Sequence, residues 1–436
     1  MKIMPKLATG IATTVALMSA GAAHSDTQQE SKGFIEDSTL SLLNRNFYFN
    51  RDFRDADPDD QSYREEWAHG IMAFYESGFT QGPVGFGVDA YGFLGLKLDS
   101  GRGRSGTGLL PVDEDDRARD DYSHAGGALK LRVASTVLKY GEMQTTAPVF
   151  ATADSRLLPE TATGLLLTSR DIPDALLEAG HFTAYNYRNS TNSDDELFAD
   201  TGEADRFGDS ISFVGGQYDF SDALRGSLYA SSYEDTWRQY YANLNYTLAL
   251  DDDQALNLDA NFYRTRDAGD AYFGEIDNRA YSLAAEYSLG AHAFTVAYQK
   301  IDGDTSFDYV GGDSIFLANA AAISDFKGAN ETSYQLRYDV NFAGYGVPGL
   351  KMSARYIRGH NVDGTDADAA GAYAGLQGAD GKHWERGFDV RYTVQSGPAK
   401  DLSLRLRQAT HRANDDQAEG DVDEVRFIAE YPLDLI

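Results

Sequence analysis

The chain has 436 residues with 68 acidic against 38 basic side chains, a formal charge of −30 and no cysteine. That charge opposes nucleic-acid binding, which needs a net basic face to release counterions, and the missing Cys excludes a disulfide framework, thiolate metal sites and a thiol nucleophile. With 27 Tyr, 23 Phe and 43 Gly against 3 Trp and 10 Pro, the composition suits strands and tight turns, not a helical bundle.

The N-terminus reads as a secretory signal over residues 1–23. Lys2 and Lys6 form a positive region, Leu7 to Leu17 an apolar stretch, and Ala20-Gly21-Ala22 a small-residue cleavage pattern. No later apolar run is long enough to cross a bilayer as a helix, so a membrane-spanning reading of residues 24–436 requires a β-barrel.

From residue 40 onward the pattern has period two. The first strand shows no clean lipid face, because Phe47 and Phe49 share a parity with Arg45 and Arg51, and a bulge is expected there. Further on, Val84, Phe86, Val88, Ala90, Leu94 and Leu96 alternate with Gly and Asp89; Leu256, Leu258, Ala260 and Phe262 oppose Asn257, Asp259, Asn261 and Tyr263. Tyr334, Leu336, Tyr338, Val340 and Phe342 oppose Gln335, Arg337, Asp339 and Asn341. Leu350, Met352, Ala354 and Tyr356 oppose Lys351, Ser353 and Arg355, and Leu402, Leu404 and Leu406 oppose Ser403, Arg405 and Arg407. Charges facing an apolar, aromatic-edged side fit a lipid-facing wall around a polar lumen. Such segments number about eighteen, joined alternately by short turns, as at 78–83, 134–136, 170–175 and 290–291, and by mostly long acidic connections, as at 100–122, 143–162, 303–331 and 359–383. Alternating lengths are the porin pattern; a propeller or jelly roll gives no reason for them. The fold class is therefore all-β, a transmembrane antiparallel barrel of one domain, with long loops turned into the lumen. The 143–162 loop is expected inside because Ala147, Pro148, Val149, Phe150, Leu157, Leu158 and Pro159 would be costly to expose.

Two motif matches dissolve on inspection. Gly101, Gly103 and Gly106 fit G-x-G-x-x-G, but the residues after them, LLPVDEDDRARDD, do not start a helix, so the stretch reads as a flexible loop. Asp55, Asp57 and Asp59 with Glu66 mimic EF-hand spacing, yet Asp60 replaces the required Gly, and an acidic external loop is expected. Neither a nucleophile elbow nor H-E-x-x-H occurs. No metal, no cofactor and no covalent chemistry are expected.

The feature above background is the placement of cations. Lys130, Arg132, Arg337, Lys351, Arg355, Arg391, Arg405, Arg407 and Arg426 all fall on the lumenal parity, most of them on the last five strands, which close onto Arg45 and Arg51. They could merely pair with Asp339, Asp389 and Glu385. Arg405 and Arg407 have no acid within their own strand, which favours an anion path.

NRNFYFNRDFR (44–54), PVFATADSRLLPETATGLLLTSRD (148–171), AGHFTAYNYRNS (179–190), DLSLRLRQ (401–408) and the terminal VRFIAEYPLDLI resemble the substrate-specific outer-membrane channels of pseudomonads, the OprD/Occ porin family, across nearly the whole mature chain. The resemblance implies an eighteen-stranded monomeric barrel narrowed by inward loops at about 143–162 and 303–330. It also implies an arginine and lysine ladder for carboxylate-bearing substrates, mapping onto Arg45, Arg51, Arg132, Arg391, Arg405 and Arg407, with Asp154, Ser155 and Arg156 in the inward loop. The FYFNRDF and ATADSRLLPETATG stretches look more like the branch for aromatic or cyclic carboxylates. The chain ends in Ile436 where many such barrels end in Phe. The expected function is a passive, selective channel for small carboxylates in a Gram-negative outer membrane, surrounded by lipid and lipopolysaccharide and inserted by barrel-assembly machinery. The alternative within the family is a basic-amino-acid or small-peptide channel, with Asp154 and Asp308 as cation-binding candidates. The alternative of another class is an outer-membrane hydrolase with a Ser–His pair on the lumenal or rim surface.

Overall fold

The computed structural model describes residues 27–54, 56 and 60–436; the expected signal segment, residues 1–23, and Asp55, Asp57 and Asp59 of the EF-hand-like stretch lie outside them. Eighteen antiparallel strands form one sheet: β1 Thr39–Phe53, β2 Tyr63–Glu76, β3 Gly85–Asp99, β4 Asp121–Val133, β5 Thr136–Met143, β6 Thr161–Ser169, β7 Ala175–Asn186, β8 Ile211–Ser221, β9 Leu224–Tyr233, β10 Trp237–Asp251, β11 Gln254–Asp267, β12 Asp277–Leu289, β13 His292–Asp302, β14 Thr332–Asn341, β15 Leu350–Val362, β16 Gly381–Thr393, β17 Ser403–Ala413 and β18 Val422–Asp434. Each strand pairs with the next, and β18 returns to β1 in the register Arg45 opposite Glu430. Closure leaves no edge strand, so the spanning backbone finds its partners between neighbouring strands without water.

The alternation read from the sequence is the in–out alternation of the wall. Leu129, Leu228 and Leu336 are more than 60% exposed on the outer face, where lipid would cover them. Phe86, Phe220, Phe294 and Tyr345 gather outside near the short turns, and Trp67, Tyr240 and Tyr334 near the opposite ends, with aliphatic residues between; these are interfacial girdles. The turns are as short as Gly290–Ala291, where Gly290 takes the left-handed φ of +57° that a tight hairpin requires.

Two expectations change. The first strand is not bulged: β1 keeps an unbroken register against both β2 and β18. Phe47 and Phe49 fail to make a lipid face because they point inward, into a buried cluster with Met72, Phe93, Leu109, Leu110, Leu157 and Leu158. Nor does the glycine-rich loop hang free. Leu109 and Leu110, just beyond it, are fully buried, and Glu66 accepts hydrogen bonds from Gly106 N (3.1 Å), Leu109 N (3.3 Å) and the Thr107 hydroxyl. Glu66 thus anchors a loop.

The barrel consequently carries its hydrophobic core inside. Phe150 of the 144–160 loop packs on Phe182 and Tyr185 of β7, and Tyr263 of β11 donates across the lumen to Pro148 O at 3.0 Å. From the 303–331 loop, Phe307 lies against Tyr263. Each fully buried aromatic contributes about 1.5–3 kcal/mol relative to exposure, which drives the inward fold.

Candidate functional site

A cavity of about 650 Å³ lies between the two inward loops and the β14–β18 wall, lined by nine basic and five acidic side chains. In a chain of net charge −30, this is a local inversion of sign.

Its floor is built by Arg45. The guanidinium is almost wholly buried and bonds to Asp154 (2.6 and 2.9 Å), to Glu430 (2.8 Å), and to the carbonyls of Arg156 (2.9 Å) and Leu157 (3.3 Å). Its donors are divided between the loop and Glu430 on β18. Arg45, expected in the substrate row, and Asp154, expected in the inward loop, both line the cavity, and their mutual ion pair clamps the constriction to the wall. The two loops also hold each other: Glu160 accepts from Ala153 N at 2.9 Å, from the Tyr185 hydroxyl at 2.7 Å and from Gly312 N at 3.2 Å, while Ala151 N donates to Ser314 Oγ at 2.6 Å. Glu385 on β16 accepts three backbone N–H groups, from Ala322, Ile323 and Ser324, each at 3.0 Å, and so moors the 303–331 loop to the wall. Asp308 is likewise structural. It is buried and accepts from the backbone N–H of Asp200, Thr201, Gly202 and Tyr309 and from the Tyr373 hydroxyl, and it does not line the cavity.

The remaining cations form a path. Arg51 and Arg426 share Glu424, Arg51 at 2.8 Å, and Arg156, Arg51 and Arg426 surround the face of Phe49 at 5.2, 5.4 and 4.5 Å. Arg426 also donates to Ala322 O at 3.0 Å. Arg156 donates to Thr107 O at 3.3 Å, with Ser155 exposed beside it at the cavity. Burial and the neighbouring Arg426, Arg188 and Arg51 pull the Arg156 guanidinium well below its usual range.

Farther along, Arg405 and Arg407 do have a partner: Asp389 on the adjacent β16 meets Arg405 at 2.6 Å and Arg407 at 3.2 Å. The absence of an acid within β17 said nothing about the next strand, whose Asp389 stands opposite Arg407 in register. One carboxylate cannot neutralise both, and Arg391, opposite Arg405, makes no ion pair among the described residues. Lys351 also has none; Arg355 donates to Ala320 O at 3.2 Å with Glu385 at 3.8 Å, and Arg337 is held by Asp339 at 2.8 Å.

Two expected members of the row are elsewhere. Lys130 is buried against Asp89 at 2.5 Å, and Arg132 bonds Gln28 at 3.0 Å with its guanidinium 4.2 Å from the Phe79 ring. Both belong to the β3–β5 wall near the short turns and do not line the cavity.

Sequence reasoning missed Asp313, which lines the cavity from the inward loop facing this wall. Burial, reinforced by the carboxylates of Asp325, Glu160 and Asp154, pushes its carboxyl up to about 7. It sits in an irregular loop, where no periodicity marks a side chain as inward. A Ser–His contact does occur, His181 with Ser212 at 2.8 Å, but both side chains are on the outer, lipid-facing parity of β7 and β8 and not in the lumen, and the contact does not involve the cavity.

Comparison with known proteins agrees with this architecture. A family described as outer membrane porin, OprD family, matches residues 32–435. Porin D of Pseudomonas aeruginosa is 53% identical over 421 residues, 94% of each chain. The crystal structure of OprD from the same organism superposes with a TM-score of 0.82 at 52% identity, covering 94% of this chain and 98% of that one. OpdK of P. aeruginosa, solved with vanillate, gives a TM-score of 0.83 at 37% identity, covering 92% and 100%.

Proposed function

Because the chain belongs to the OprD family of outer membrane porins, we propose that it is a selective channel for small carboxylates and that its preferred solutes carry a cationic group as well. The carrying observation is the opposition of charges across one cavity: Arg391, Arg405 and Arg407 with one shared carboxylate on the wall, and Asp313 on the loop facing them. A carboxylate would pass along the arginines from one weak site to the next, while an ammonium or guanidinium would turn toward Asp313. This moves the reading from simple aromatic or cyclic carboxylates toward the basic-amino-acid alternative. The channel would work as a monomer in the outer membrane, in contact with lipid and lipopolysaccharide, after removal of residues 1–23 and insertion by the barrel-assembly machinery.

The test is liposome uptake of arginine, lysine, benzoate and vanillate by the wild type and by Asp313→Asn. The proposal expects the dibasic solutes to enter faster than benzoate and the variant to slow them severalfold, leaving benzoate unchanged or faster. Equal uptake of all four, or an unaffected arginine rate in the variant, would remove the two-sided reading.

A further inference from the structure

At the end of the barrel that carries the long connections, the start of β16 and the end of β17 bring two imidazoles together. His383 Nδ1 and His411 Nε2 stand 2.8 Å apart, both rings buried. The far nitrogen of each ring is already committed: His383 Nε2 faces Glu331 Oε1 at 2.7 Å, and His411 Nδ1 faces the carbonyl of Gly420 at 2.8 Å. A carboxylate and a carbonyl only accept, so these far nitrogens carry the protons. The two near nitrogens then face one another with lone pairs that a proton or a metal cation between them would satisfy, the only other neighbour among the described residues being the Gln417 amide nitrogen, at a long 3.3 Å from His383 Nδ1. Glu419 places a carboxylate oxygen in the same cluster, with all three donor atoms within 4.8 Å of one another. Gln417 on the same turn is buried; its amide nitrogen donates to Glu419 Oε2 at 2.7 Å and lies 3.3 Å from His383 Nδ1, while its Oε1 has no hydrogen-bond partner among the described residues, so a flip of the amide would turn that oxygen toward the cluster.

We propose that His383, His411 and Glu419 bind a divalent transition-metal ion of the zinc class, with Gln417 completing or closing the site. Two neutral imidazoles and a carboxylate form a donor set suited to zinc at about 2.0–2.2 Å. A tetrahedral ion would spread the two nitrogens to roughly 3.3 Å, a movement of about half an ångström. Glu331 and the Gly420 carbonyl are the outer partners that such ligands use to fix their tautomers. The ion would act as a clasp. It would tie the 414–421 connection to β16 and β17. Through Glu331, which also accepts from Gly328 N at 2.8 Å, and through Phe326 stacked on His383 at 4.3 Å, it would reach the inward 303–331 loop.

The experiment uses the full mature protein without a polyhistidine tag, folded in detergent, stripped with EDTA and titrated with zinc chloride. Calorimetry and elemental analysis after gel filtration read the stoichiometry. One zinc per chain is expected, with a raised midpoint of thermal unfolding. Affinity should fall at least a hundredfold in His411→Ala and in Glu419→Gln, and stay unchanged in His181→Ala. Glu419→Gln leaves both imidazoles in place, so it remains readable if His411→Ala fails to fold by heat-modifiable gel mobility. No retained zinc in the wild type, as for a pair that merely shares a proton, overturns the proposal. Zinc bound equally by Glu419→Gln and the wild type also overturns it.

Discussion

Replacing Arg405 and Arg407 by Gln changes the sign balance of the path, and the structure sets the size of the effect. The wild type presents three guanidiniums, those of Arg391, Arg405 and Arg407, around the one carboxylate of Asp389, a local surplus of two positive charges. The double variant leaves Arg391 against Asp389, a surplus of none. For a permeating carboxylate about 6 Å away, each lost charge is worth about 0.7 kcal/mol at the permittivity of water and about 2.8 kcal/mol at an effective value of 20. A water-filled lumen with low-dielectric walls lies toward the lower end, so the pair should contribute about 1.5–3 kcal/mol, roughly ten- to a hundredfold in carboxylate affinity. The assay is single-channel current block, together with uptake into liposomes at low substrate concentration. In 1 M salt, where the Debye length is about 3 Å, the difference should shrink, and neutral sugars should permeate nearly as before. Adding Asp389→Asn to the double variant should recover part of the loss by removing the uncompensated acid. A folded double variant that transports carboxylates at the original rate in low salt would show that these arginines serve only to hold Asp389.

Deleting residues 148–158 should enlarge the single-channel conductance severalfold, because those residues cross the lumen to Tyr263; unchanged conductance in a folded deletion would contradict this. Arg45→Met leaves Asp154 and Glu430 without their buried partner and should cost about 3–5 kcal/mol in urea unfolding, with a noisier, wider channel; a variant matching the wild type in both would show that the clamp is dispensable. The Asp313 carboxyl, pushed up to about 7, is mostly neutral at pH 5.5 and mostly charged at pH 8.5. Cation permeability measured by reversal potential should therefore rise with pH across that window, and Asp313→Asn should flatten the profile.

Much of this protein is written in its sequence, for a physical reason. A strand's side chains alternate with period two, so any wall with lipid on one side and water on the other stamps that period on the residues; Leu336 and Arg337, or Leu406 and Arg407, reveal their faces without coordinates. Loop lengths carry the hairpin order in the same way, and the apolar stretch around Phe150 announces burial because no external loop bears such a cost. What the sequence could not decide is who meets whom across strands and between loops. The first strand read as irregular because its apolar residues face a core made by distant loops, a contact that no local pattern encodes. Arg45 and Arg405 occupy the same lumenal parity, yet one is locked beneath a loop 109 residues away while the other shares its acid and keeps charge to spare. Asp313 and Asp308 lie in one irregular segment, and only the packed structure places the first at the cavity and seals the second among backbone amides. Register and loop docking bring these groups together, and it is burial and partner count, both tertiary quantities, that make one charge a strut and leave another at the cavity with charge to spare.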